Sequence, residues 1–293
     1  MDGGGEQESD HDRTSVWNGY RLAVTTWKPP TSPKVLLFIC HGVGEHMGRY
    51  NKLAKHLAEG GVLVYGHDHV GHGKSEGDRV HIERFDTYVL DVFNHIGDMN
   101  AEYPGVPSMM LGHSMGGLIA TLVVEQHPSL ISAILLSAPA LDTIPAYGSL
   151  MANVTQYAVQ LVVVCFPQAQ LKTFDINDIS SIPEEAREYA EDPMVYHGGM
   201  KAKFIDEFMN AVGRARNSLH LISLPLFLMH GDRDRLVPIS ASQFVQRNIG
   251  SESKTYEIFP EHCHEILHDK GQDRAVQLIT DWIMARVTPY AQL

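Results

Sequence analysis

The chain has 293 residues, 44% of them hydrophobic, enough to bury a large core as one domain with or without an insertion, which excludes disorder for most of its length. With 23 basic against 35 acidic residues the net charge is −12, which opposes non-specific attraction to nucleic acid or to an anionic membrane surface, so any membrane contact must be apolar. Three widely spaced cysteines, Cys40, Cys165 and Cys263, form no Cys-x-x-Cys, which suits a reducing compartment and argues against a disulfide or zinc framework.

Residues 1–13 are rich in Gly, Glu, Asp and Ser. They lack the basic and apolar regions of a secretory signal and read as an acidic disordered tail. Asn18-Gly19 between strand-like flanks predicts a hairpin, because this pair supplies the positive φ angles of a two-residue turn. Val35 to Ile39 is a continuous apolar run ending at Cys40-His41-Gly42, as expected for a strand buried on both faces of a parallel sheet.

Tyr50 to Glu59 carries a helical stripe closed by Gly60-Gly61, and Val62 to Tyr65 reads as the next strand. Phe85 to Met99 returns to helical spacing. Met109 to Leu111 is a strand, Leu118 to Glu125 a helix, and Ile131 to Leu136 a strand ending at Ser137-Ala138-Pro139. Strand and helix alternate, which predicts an α/β fold with a mostly parallel, doubly wound sheet.

After Leu141 the alternation breaks. A broad apolar stripe runs from Leu150 to Phe166, and Glu184 to Glu191 and Met200 to Val212 suggest further helices. The alternation resumes with strands at Leu226 to Met229 and Thr255 to Phe259 and a closing helix at Ala275 to Val287. The expected organisation is a core of residues 14–142 and 221–293 with a helical cap inserted at 143–220. No run of eighteen apolar residues is present to predict a membrane span.

Chemistry concentrates at the predicted strand ends. Gly112-His113-Ser114-Met115-Gly116 sits between an apolar strand and a helix, where glycines relieve crowding around a strained turn that lifts the serine hydroxyl clear of the sheet. The first amides of the following helix point to the same spot. Ser114 is therefore the candidate nucleophile. A hydroxyl needs a histidine to take its proton and a carboxylate to fix the imidazole tautomer.

For the acid, Asp232 and Asp234 compete in His230-Gly231-Asp232-Arg233-Asp234-Arg235-Leu236. Asp234 is favoured because it lies further into the loop, where it can turn back to the nucleophile, while Asp232 suits a turn former accepting backbone N–H groups. For the base, His262, His264 and His268 compete. His264 opens what looks like a first helical turn, whereas His262 reads as a loop residue and His268 as a helix-surface residue. The loop His41-Gly42-Val43-Gly44-Glu45-His46 is the expected source of a second oxyanion donor, the N–H of Val43, beside that of Met115. His67-Asp68-His69-Val70-Gly71-His72 contains metal-ligating types, but its spacing matches no compact metal motif, and a structural loop is the better reading.

Together these stretches resemble a monoacylglycerol lipase of the α/β-hydrolase fold. The resemblance is carried by residues 41–50, by residues 67–77, by Gly112 to Gly117, by Asp234-Arg235-Leu236 and by the His264 region, in the same order over about residues 15 to 288. It implies hydrolysis of a monoacylglycerol to fatty acid and glycerol, with no cofactor or metal, by Ser114, Asp234 and His264 with oxyanion donors Val43 and Met115. It places polar groups for the glycerol end at Glu45, Arg49, His113 and Tyr189, and it makes the cap an amphipathic lid that touches membrane. Thiol sensitivity known near the pocket of mammalian members has Val237 in the corresponding place here, with Cys263 as a substitute. The implied location is cytoplasmic, or peripheral at a membrane, with a lipid ester and not a nucleic acid as partner. A lysophospholipase or broader carboxylesterase is the alternative, and a non-catalytic ligand receptor on the same fold the remote one.

Overall fold

The computed structural model describes residues 10–141, 165–172 and 175–287. The hairpin forms as the Asn-Gly pair dictates: Asn18 and Gly19 have φ of 49° and 85° and join β1 (Asp10–Trp17) to β2 (Tyr20–Trp27) in antiparallel register, Trp17 opposite Tyr20. β1 thus begins inside the span expected to be a disordered tail. Its polar composition fits an edge strand, where one side of the backbone lacks a neighbour.

β3 (Val35–Cys40), β4 (Val62–His67), β5 (Ser108–His113), β6 (Ala133–Ser137), β9 (Leu226–Gly231) and β10 (Lys254–Phe259) run parallel. Among the described residues the sheet order is β1-β2-β4-β3-β5-β6-β9-β10. The winding reverses between β3 and β5, and in open α/β sheets the crevice at such a reversal, beyond the carboxyl ends of the strands, is where ligands bind.

The continuous apolar strands cover both faces. On one face Leu36, Phe38, Tyr65, Met110 and Leu136 pack with α2 (Asp86–Glu102) and α3 (Met115–Gln126). On the other, Leu37, Ile39, Val64, Leu111 and Phe227 pack with α1 (Asn51–Glu59) and the closing helix, which supplies Ile279 and Ile283. Each such fully buried side chain contributes about 1.5–3 kcal/mol. These two layers are what hold the strand ends in place.

Within the expected cap, β7 (Gln170–Lys172) and β8 (Met200–Lys201) pair, α4 (Pro183–Glu191) lies where a helix was predicted, and α5 (Ala202–Ser218) starts after the β8 strand and runs beyond the predicted end at Val212. α5 packs against α3, and its Phe204, Ala211, Val212 and Ala215 join the same apolar cluster as the sheet. The stripe expected at Leu150 to Phe166 lies almost wholly outside the described residues. α6 (Ser240–Asn248) is a helix the spacing did not predict, and α7 (Gln272–Val287) closes the chain. No helix among the described residues is long and apolar enough to cross a membrane.

Candidate active site

Ser114 stands at the tip of β5 with φ 51° and ψ −117°, and α3 begins at the next residue. A non-glycine residue at such angles stores on the order of 1–3 kcal/mol of strain and persists only where its surroundings over-determine it. Here they do: Ser114 N–H donates to Ser137 O at 3.0 Å, and Ser114 O accepts from Ala140 N–H at 2.9 Å. The flanking glycines are steric necessities. A Cβ on Gly116 would collide with the carbonyl of Cys40 on β3, and one on Gly112 would lie 2.8 Å from the Cα of Gly117. Met115 is the first residue of α3, so its N–H has no partner in a preceding helical turn.

Asp234 follows β9 and His264 follows β10, and the two meet in a buried hydrogen bond: His264 Nδ1 donates to Asp234 Oδ2 at 2.6 Å. The other carboxylate oxygen, Oδ1, accepts the N–H groups of Leu236 and Val237, both at 2.9 Å. Burial pushes the Asp234 carboxyl up, but the His264 ring and the imidazole donors on Oδ2 outweigh it and hold the acid well below the usual carboxylate range. Burial pulls His264 down, and the Asp234 charge reverses this, so its pKa is raised. The ring of His113, the residue before Ser114, lies 4.8 Å from that of His264. Burial and then His264 lower the His113 pKa to about 4, so it is neutral, and its Nδ1 donates to Ser137 O at 3.2 Å.

Asp232 takes the role of turn former: its Oδ1 accepts the N–H of Glu261 at 2.6 Å. His262 is a loop residue, its Nδ1 bonded to Pro260 O. His268 differs from the expectation of a helix-surface residue. It ends a short 3-10 turn, Ile266–His268, and its Nε2 donates to the carbonyl of Arg49 at 2.9 Å, against the polar end of the site.

That polar end is built around one guanidinium. Arg49 Nη1 and Nη2 donate to the two oxygens of Glu265, both at 2.6 Å, and Nη1 also reaches Glu45 Oε2 at 3.1 Å. The face of Tyr189 on α4 lies 4.7 Å below the same group. Burial pushes both carboxyls up, and Arg49 overcomes it, leaving Glu45 lowered and Glu265 well below the ordinary value. Glu45 Oε1 accepts from Gly42 N–H at 2.5 Å and from Tyr50 OH at 2.8 Å, fixing the loop on either side of Val43. Two contacts tie this loop to the inserted segment: Tyr196 N–H donates to Gly44 O at 2.7 Å, and His46 Nε2 meets Asp192 Oδ2 at 2.8 Å.

The structure therefore brings together Glu45, Arg49 and Tyr189, and sets His113 beside His264. Glu265 is the residue the sequence reading passed over; its pair with Arg49 spans 216 positions, and its position directly after His264 was the available signal. In the His67 to His72 loop, Asp68 organises backbone: Oδ1 accepts from Met47 N–H and Oδ2 from Lys74 N–H, each at 2.8 Å. His67 pairs with His95 and His69 with Cys40, so these side chains face different neighbours.

The family model described as serine aminopeptidase, S33 (Hydrolase_4) matches residues 31–271. Monoglyceride lipase from Rattus norvegicus is 33% identical over 273 residues, covering 92% of this chain and 89% of that protein. Monoglyceride lipase from Homo sapiens is 35% identical over 251 residues, with coverage of 86% and 82%. Among solved structures, a monoacylglycerol lipase from Paleococcus ferrophilus superposes with a TM-score of 0.77 at 27% identity, covering 90% of this chain and 98% of that one.

Proposed function

The chain belongs to the Hydrolase_4 family of α/β-hydrolases, among the homologues of the monoglyceride lipases, and on that premise we propose that it hydrolyses monoacylglycerols to fatty acid and glycerol. The observation that carries the reading is the buried 2.6 Å bond from His264 to Asp234 beside the strained serine turn. In this mechanism Ser114 Oγ attacks the ester carbonyl while His264 Nε2 takes its proton. The Nδ1–H to Asp234 bond leaves Nε2 as the acceptor, and the carboxylate stabilises the imidazolium. Backbone N–H groups of Val43 and Met115 receive the oxyanion; each such donor is worth on the order of 10²–10³ in rate.

His264 then protonates the departing glycerol oxygen, and an acyl ester remains on Ser114. Water attacks that ester with His264 as base, releasing the fatty acid and restoring the serine. Arg49, Glu45, Tyr189 and His113 form the polar wall for the alcohol end. A wall that must bond two free hydroxyls leaves buried groups unpaired with a triacylglycerol, which is the physical source of selectivity for a monoester. Each CH₂ of the acyl chain contributes about 0.8 kcal/mol when moved from water to an apolar tunnel. In this reading the inserted segment serves as a lid that touches a lipid surface, in keeping with Phe166 and Leu171, exposed at 67% and 49%.

Purified protein tests the reading on a panel of mono-, di- and triacylglycerols, lysophospholipid, short esters and an aminoacyl amide, the last addressing the peptidase chemistry in the family's description. Monoacylglycerol is expected to lead. Comparable rates on all glycerides would remove the glycerol wall, and Ser114→Ala that still reacts with a fluorophosphonate would remove Ser114.

A further inference from the structure

Asp234 receives more than one imidazole. His230, the penultimate residue of β9, is fully buried, and its Nε2 lies 2.9 Å from the carbonyl oxygen of Val237 and 3.2 Å from Asp234 Oδ2. A carbonyl oxygen only accepts, so Nε2 carries the proton and divides it between Val237 O and Asp234 Oδ2. Nδ1 is buried without a hydrogen-bond partner among the described residues. A proton there would be an unsatisfied buried donor, so this geometry places the ring hydrogen on Nε2.

We propose that His230 is a positioning residue for the ester hydrolysis assigned above, acting through Asp234 and never touching substrate. It does two things at once. Val237 already donates its N–H to Asp234 Oδ1, so the bond from His230 to Val237 O closes the 234–237 turn from its other side. The strand end, the turn and the acid then form one unit, held from Gly231, where a Cβ would strike the carbonyls of His262 and Cys263. The His230 N–H also draws on the same oxygen that His264 uses. Two donors on Oδ2 divide its electron density, so Oδ2 is a weaker partner for His264 than a carboxylate serving His264 alone. His230 thereby keeps the acid in the plane of His264 while restraining how strongly it holds the imidazolium.

The inference rests on the triad reading, and the test separates the two. Steady-state kinetics against pH are measured on the full chain for His230→Leu, His230→Gln, His230→Asn and, in parallel, Asp234→Asn. The Gln amide nitrogen falls where Nε2 was, while the Asn amide is too short to reach it. His230→Leu is expected to lower kcat on the order of tenfold with KM unchanged, the loss of a charge-assisted hydrogen bond. Its acid limb in kcat/KM is expected at higher pH, because Oδ2 then binds the imidazolium without a competitor. The proton NMR signal of His264 Nδ1–H should move further downfield. His230→Gln is expected to restore both kcat and the limb; His230→Asn is not.

If His230→Leu does not fold, the Gln and Asn variants decide between themselves, and identical profiles for the two overturn the proposal. Wild-type kcat and limb in a folded His230→Leu also overturn it, provided Asp234→Asn is inactive. An active Asp234→Asn overturns instead the triad on which the proposal stands.

Discussion

Four buried histidines near the donor loop and a fifth, His264, behave in opposite ways. His41 in the donor loop, His67 at the end of β4 and His69 and His72 in the loop that follows are all buried, and burial drives every one of them down: His41 to about 4, His72 to about 3, and His67 and His69 well below the ordinary value. His264 is buried to the same degree, yet its pKa is raised, because Asp234 lies against its Nδ1. Burial alone makes a histidine an uncharged packing group; a buried carboxylate at hydrogen-bond distance raises its affinity for a proton, which is what the base proposed above requires.

The largest test of this contrast is to remove the carboxylate's charge. Asp234→Asn is expected to lower kcat by about 10⁴ by favouring the wrong tautomer of His264, measured with any ester the wild-type protein cleaves. Next comes the pH profile. In the proposed mechanism the base must be neutral, so activity is expected to fall as pH drops through the His264 pKa, and because that pKa is raised the limb in kcat/KM is expected above about 6.5. A limb near 4 would assign the base to a histidine of the other group.

A smaller effect concerns a carboxylate without a histidine. Asp91 on α2 is buried and accepts from Asn18 Nδ2 at 2.7 Å, and burial raises its pKa to about 7 despite that bond. The folded value lies above the unfolded one of about 3.9, so the stability this group contributes is present at low pH and lost as pH rises through about 7. Asp91→Asn is expected to raise Tm by about 2–4 °C at pH 8.5 and to leave it unchanged at pH 4, read by thermal unfolding. The smallest expected effect is that of His72→Asn, which keeps a donor to Val70 O and should leave the acid limb in place; a displaced limb would break the distinction between the two groups.

The strand ends were legible because the parallel sheet is written as continuous apolar runs, and each run stops where chemistry begins. Ser114, Asp234 and His264 could be placed that way. Which neighbours complete the polar end could not be, since Arg49 and Glu265 meet only after β3, β10 and their loops have docked. His268 looked like helix surface because a turn of 3-10 structure and a helix share a local pattern; its contact with the Arg49 carbonyl is tertiary. β1 was obscured for a related reason, as an edge strand needs no alternation of apolar residues. α6 buries only a narrow side, Ala241, Ser242 and Val245, too little periodicity to announce itself.

The ring of charge around Arg49 has a further consequence for turnover. Glu45 and Glu265 are two carboxylates on that single guanidinium, and Asp234 is a third carboxylate, bonded to His264, so with His264 neutral these groups carry excess negative charge. An ester arrives uncharged and is indifferent to it. Under the hydrolysis proposed above, the acid formed in the last step ionises and becomes an anion among carboxylates, where burial strengthens the repulsion between like charges. On that proposal, the same field that holds the resting groups in place is expected to make the site a poor home for its own acidic product and to favour release over rebinding.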